Sequence, residues 1–196
     1  MRGIVVAFVT ALLGACATSQ DVSPREFLDE QTAATITIVA NPVIFVGETQ
    51  GPRGLDLERS LGQSSFGQGA NRDYLELYGI DVNRMGSHRQ YFVIQKWLTP
   101  KDSDPRAILE LMVDGSMIEL RATPEDPRKL GISAPPAPVF SRSSQWWYFP
   151  TDTATLRRIA GASSLDASLV IGEHRTAYEI FTDGRAQLGG LAAALP

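Results

Sequence analysis

Few side chains in this 196-residue chain are of types that do chemistry, and their spacing narrows the options further. His88 and His174 are its two histidines, and both fall in turn-like stretches. One of them could act as a general base, but such a base works with a matched partner, and neither lies in a recognisable partner motif. The plainer reading is a solvated turn histidine in each case. A serine hydrolase would carry a Gly-x-Ser-x-Gly elbow, and none occurs. No His-x-x-x-His pair, carboxylate triad or calcium loop is present, so neither metal nor cofactor is expected. Glu110 and Glu119 could meet across a hairpin and share a cation, although paired surface carboxylates are usually just hydrated. No catalytic residue is expected from this set.

The aromatic run Trp146-Trp147-Tyr148-Phe149 is the densest in the chain. On a strand its members alternate, so Trp146 and Tyr148 share one face while Trp147 and Phe149 share the other. One face belongs to the core. The opposite one is a candidate platform for a sugar or a protein partner, because exposed aromatics concentrate at interfaces. Trp146, Trp147 and Tyr148 are therefore the candidate binding residues, together with the Gly-, Ser- and Gln-rich stretch 48–71, whose length marks it as a loop of functional interest. Arg157-Arg158 and Arg128-Lys129 have no phosphate-cradle context and read as solvated pairs.

Cys16 is the sole cysteine. It follows Arg2, an apolar run from Ile4 to Leu12 too short to stay in a bilayer as a permanent helix, and Leu13-Gly14-Ala15. Leu13-Gly14-Ala15-Cys16 resembles the lipobox of bacterial lipoproteins. That resemblance implies residues 1–15 as a signal peptide, cleavage before Cys16, and diacylglycerol and acyl attachment there, with residues 16–22 as a lipidated tether. It also implies a proteobacterial type of address. Ala17 stands where an aspartate would signal inner-membrane retention, so the expected location is the periplasmic face of the outer membrane.

Composition agrees with a membrane contact made by lipid rather than by protein charge. The formal net charge is −4, and loss of Arg2 with the leader makes the mature chain more acidic still. A nucleic-acid partner is disfavoured, since such proteins concentrate basic residues against phosphates. No polybasic run is available to hold anionic lipid, whereas each buried acyl methylene contributes about 0.8 kcal/mol. With its one thiol consumed by lipid, the domain is left without disulfides and depends on its core.

The elements that would position these residues read mainly as β. Ser23-Pro24-Arg25-Glu26 combines an N-cap serine, a first-turn proline and a glutamate three residues on, which predicts a short helix over 24–31. Strands are expected at 35–39, 43–46, 74–82 and 90–98, with Gly79 marking a bulge and residues 83–88 a connection. Asp114-Gly115 predicts a two-residue hairpin in which Leu111 faces Ile118, Leu109 faces Leu120 and Glu110 opposes Glu119. Five prolines between Thr123 and Gln145 make that stretch an extended connector. A strand at 145–149, a helix from Pro150-Thr151-Asp152 to Gly161, a hairpin of 167–171 with 177–182, and a terminal helix through Leu188, Leu191 and Leu195 complete the chain.

About eight strands with turn signals and no βαβ alternation predict a single antiparallel β-sandwich over residues 23–196, immunoglobulin-like or related, with short peripheral helices. Three functional readings follow. The first is a non-catalytic, lipid-anchored protein that binds an envelope protein or glycan. The second is an envelope enzyme acting on peptidoglycan or glycan, and the third a structural accessory of a secretion or transport complex.

Overall fold

A computed structural model describes residues 23–48, 72–96, 105–138 and 144–196. The expected leader 1–15, Cys16, the expected tether to residue 22 and nearly all of the 48–71 stretch lie outside the described residues. The fold is mainly antiparallel β, with few short helices, as the turn spacing predicts. In chain order the strands are β1 (Arg25–Asp29), β2 (Ala34–Ile38), β3 (Val43–Glu48), β4 (Arg72–Arg84), β5 (Ser87–Lys96), β6 (Ile108–Val113), β7 (Ser116–Arg121), β8 (Gln145–Thr151), β9 (Leu165–Ile171) and β10 (His174–Thr182). The helices are α1 (Pro127–Leu130), α2 (Thr153–Ala160) and α3 (Arg185–Ala194). None of the described helices is long and apolar enough to cross a membrane.

The ten strands among the described residues join one hydrogen-bonded sheet organised around β4, whose 13 residues outlast its neighbours. β3 pairs with the first half of one β4 edge and β2 with the second half, while β5 runs along the opposite edge from Leu75 to Arg84. From β3 the sheet continues through β10, β9, β6 and β7, and from β5 it continues to β8. Thr123, just past β7, donates its N–H to the Tyr148 carbonyl on β8 at 2.8 Å, so the two ends of the sheet approach each other.

Two apolar layers result. On the inner side Phe45, Leu75, Leu77, Phe92, Ile94, Leu109 and Leu169 pack with Leu156 of α2 and Leu188 and Leu191 of α3. On the outer side of β2 and β4, the Pro-rich connector lies against Ala34 and Val82 at Gly131, with its Leu130 and Ile132 buried in the core. β4 and β5 are thus buried on both faces, which is why Tyr91 to Ile94 carry bulk on each.

Gly79 is not a bulge. Its register with Phe92 is regular, and a Cβ there would stand 2.8 Å from Leu188 Cδ2 and 3.0 Å from Leu191 Cδ2. The glycine is what lets α3 lie against β4.

The segment expected as a helix over 24–31 is instead strand β1, paired with β2 in unbroken register from Arg25↔Ile38 to Asp29↔Ala34. Asp29 explains the outcome. Its carboxylate accepts the N–H groups of Gln31 and Thr32 in the following turn, and Ser133 of the connector through both its N–H (2.6 Å) and its hydroxyl (2.8 Å). A local capping signal worth about 1 kcal/mol loses to a sheet ladder plus this distant anchor.

The Asp114-Gly115 hairpin forms in the expected register, with φ of 48° and 75° at the two turn residues. Glu110 and Glu119 do oppose one another, and each has an arginine: Arg175 at 2.7 Å from the first and Arg121 at 2.8 Å from the second.

Candidate functional site

Two carboxylates project from the inner side of β4, at Asp73 and Asp81, and both are almost wholly buried. Alternation along one strand places them on the same face, with Leu75, Leu77 and Gly79 between them. Their surroundings differ.

Asp81 sits at the end of the sheet where β1, β2, β4 and β5 run side by side. Register aligns two polar rungs there: Glu26, Thr37, Asp81 and Gln90 in one, Thr35, Asn83 and His88 in the next. Gln90 Nε2 donates to Asp81 Oδ1 at 2.7 Å, and His88 Nδ1 stands 2.7 Å from Oδ2. An ionised carboxylate only accepts, so Nδ1 carries the proton and Nε2 turns away from Asp81. His88 lines a cleft of about 240 Å³ together with Pro24, the rung residues of β1, β2 and β4, and Ala194 and Leu195 at the end of α3.

Asp73 stands at the opposite end of β4. Lys96 Nζ is 3.0 Å from its Oδ2, and the Tyr178 hydroxyl donates to the same oxygen at 2.7 Å. Oδ1 has no hydrogen-bond partner among the described residues. Burial pushes the Asp73 carboxyl above its ordinary range, against the opposing pull of Lys96 and Tyr178, and burial together with Asp73 raises the Tyr178 hydroxyl. Gly47 makes room for this arrangement, since a Cβ there would come 2.9 Å from Tyr178 Cδ1 and 2.6 Å from the Ala177 carbonyl. The cluster is a sealed polar trio inside the sheet.

A groove of about 430 Å³ opens on the outer side, between β1, the Val39–Pro42 connection and Pro136–Pro138. At its base the Tyr78 hydroxyl donates to Glu76 Oε2 at 2.7 Å, and burial with that carboxylate raises the Tyr78 hydroxyl well above its usual value. Arg25 and Phe27 of β1 form its rim. Among the described residues β1 is an edge strand, with Phe27 40% and Leu28 63% exposed.

The aromatic run is mostly packing. Trp147 is 3% exposed and faces the inner layer; Tyr148 is 6% exposed on the outer one, its hydroxyl pushed up to about 12 by burial. The expectation that one face of this strand is open therefore does not hold for these two residues, because β8 has cover on both sides. Trp146 is half-buried, its ring 6.4 Å from that of Tyr78. Among the described residues no three His, Cys, Asp or Glu side chains group closely enough to hold a metal ion.

The Asp81–His88–Gln90 group is what the sequence reading missed. Treating 83–88 as a connection hid the register. The turn is Met85-Gly86 alone, with φ of 53° and 87°, so His88 is a strand residue opposite Asn83. A two-residue turn at Met85-Gly86, read with period-2 alternation, would have put Asp81, Asn83, His88 and Gln90 on one face. Compared with protein-family models, curated proteins and solved structures, the chain matches none of them.

Proposed function

We propose that this is a lipid-anchored protein of the periplasmic face of the outer membrane with a non-catalytic binding or assembly role. The address rests on Leu13-Gly14-Ala15-Cys16. The binding role rests chiefly on β1: it follows directly on the proposed tether, is an edge strand with Phe27 and Leu28 exposed, and rims the outer groove. An edge strand offers backbone donors and acceptors to a partner segment, and exposed apolar side chains beside it add contact area.

Two measurements test this reading. Mass spectrometry of the amino-terminal peptide is expected to show acylated Cys16, lost in Cys16→Ser; an unmodified peptide retaining Met1 in cells that process lipoproteins would defeat the address. Capture from solubilised envelopes by the Phe27→Ser/Leu28→Ser variant should fall while its melting temperature holds; unchanged capture would defeat β1 as the binding edge.

A second reading, an envelope enzyme acting on peptidoglycan or glycan, draws support from the oriented His88 beside an open cleft. It requires turnover of such a substrate that disappears in His88→Gln.

A further inference from the structure

The cleft beside Asp81 has a chemistry of its own. His88 is oriented by a buried carboxylate on Nδ1, which leaves Nε2 as the ring's free polar atom beside the cleft. Asn83 Oδ1 is already occupied by the Gly86 N–H at 2.9 Å, which leaves the Asn83 amide hydrogens as donors. The Thr35 and Thr37 hydroxyls donate and accept, and Glu26 accepts. Among the described residues no lysine or arginine lines the cleft, and its other wall is apolar, at Leu195.

These features exclude ligand classes one at a time. An anion would meet the Glu26 carboxylate, with no lysine or arginine among the described residues to offset it. A bare ammonium satisfies the acceptors but leaves the Asn83 amide donors facing groups that cannot accept. A hydroxyl both donates and accepts, and several hydroxyls on a ring with an apolar C–H face suit the mixed rungs and the Leu195 wall together. The volume, about 240 Å³, is below the roughly 300–1,000 Å³ of sites for drug-sized molecules, so the occupant is one small ring or a chain end.

We infer that the Asp81–His88 cleft binds a neutral, hydroxyl-rich ligand: a single sugar ring, free or at the end of a glycan. The inference rests on the binding reading above and names a ligand class for it, and it is independent of the lipid anchor. Capture of a partner through β1 and sugar binding in this cleft fail separately, because the first is read in Phe27→Ser/Leu28→Ser and the second at His88.

The test is imidazole ¹⁵N NMR on the full chain in a detergent without a sugar headgroup, titrated with glucose and with N-acetylglucosamine, and in parallel with methylammonium and inorganic phosphate. The chain has only two histidines, so His174 serves as an internal control. The expected result is a saturable shift of the His88 Nε2 signal with at least one sugar, none at His174, and none with the two ions. Asn83→Asp keeps the acceptor for Gly86 and removes the amide donors, and it should weaken the sugar at least tenfold while admitting methylammonium. Thr37→Ala should weaken the sugar with an unchanged melting temperature. Absence of a His88 shift with either sugar, equal shifts at both histidines, or a response to an ion in place of the sugars would overturn the inference.

Discussion

Asp73 and Asp81 share a strand, a face and an exposure of 1%, yet they are held in opposite ways. Asp73 is neutralised by a lysine inside the sheet and keeps one oxygen without a partner among the described residues. Asp81 has both oxygens occupied by groups from the adjacent strand, one of which, His88, reaches solvent. Burial of a carboxylate therefore does not by itself mark a site. What separates the two is whether the partner passes the charge on to an opening, as His88 does, or closes it off, as Lys96 does.

The largest expected effect is at the sealed end. Asp73→Ala leaves Lys96 without its counterion and should cost about 3–5 kcal/mol in denaturant unfolding, whereas Asp73→Leu combined with Lys96→Met and Tyr178→Phe should be close to neutral, since an apolar set of similar volume avoids the desolvation penalty and leaves no buried hydroxyl without its acceptor. If the single variant is as stable as wild type, Asp73 is not the sealed member of the comparison.

Between the two carboxylates, Gly79→Ala puts a methyl into Leu188 and Leu191 and should cost about 1–3 kcal/mol by overpacking. At the open end the cost should be smaller. Asp81→Ala releases His88 and Gln90, which lie where water can reach them, and a loss of about 1–2 kcal/mol is expected, accompanied by loss of the fixed Nδ1–H form of His88 in the NMR spectrum. A loss matching that of Asp73→Ala would erase the distinction.

The pH dependence gives the subtlest contrast. Asp73 titrates higher in the fold than in the unfolded chain, so it opposes folding at neutral pH and this cost fades as pH falls through its folded value. Asp29, Asp152 and Asp183 run the other way. Burial alone would raise Asp29, but hydrogen bonds from Ser133, Thr32 and Gln31 outweigh it; the Thr155 N–H lowers Asp152, and Arg185 lowers Asp183. Their support is present above about pH 4 and is lost as pH falls through their depressed folded values. The expected outcome is that wild type gains stability relative to Asp73→Asn as pH drops from 7 toward 4, and that both then weaken together. A constant difference between them over that range would show that Asp73 is not raised.

How much could be read beforehand depended on how local each signal is. The Asp114-Gly115 turn and its cross-strand pairs were legible because two adjacent residues determine the backbone, and period-2 alternation does the rest. Asp152 and Gly161 delimit α2 for the same reason, the first accepting the Thr155 N–H at 2.6 Å. The Ser23-Pro24-Arg25-Glu26 signal was equally local and misled, because the competing interaction, Asp29 with Ser133, spans 104 residues. Met85-Gly86 failed as a signal for another reason: methionine at φ of 53° is an uncommon choice for a hairpin turn, and without that turn the Asp81–His88 register cannot be written down.

Composition, hydrophobic alternation and turn chemistry by themselves determined a mainly antiparallel β fold, because these depend on residues within a few positions of one another. Tertiary structure alone decided that Gly79 is the seat of α3, that Trp147 and Tyr148 are core, that β1 is an edge, and that one buried aspartate meets a lysine while its neighbour on the same strand meets a histidine in a cleft. Each of these turns on which distant surface covers a given face, and that is set by packing across the whole sheet rather than by any local run of residues.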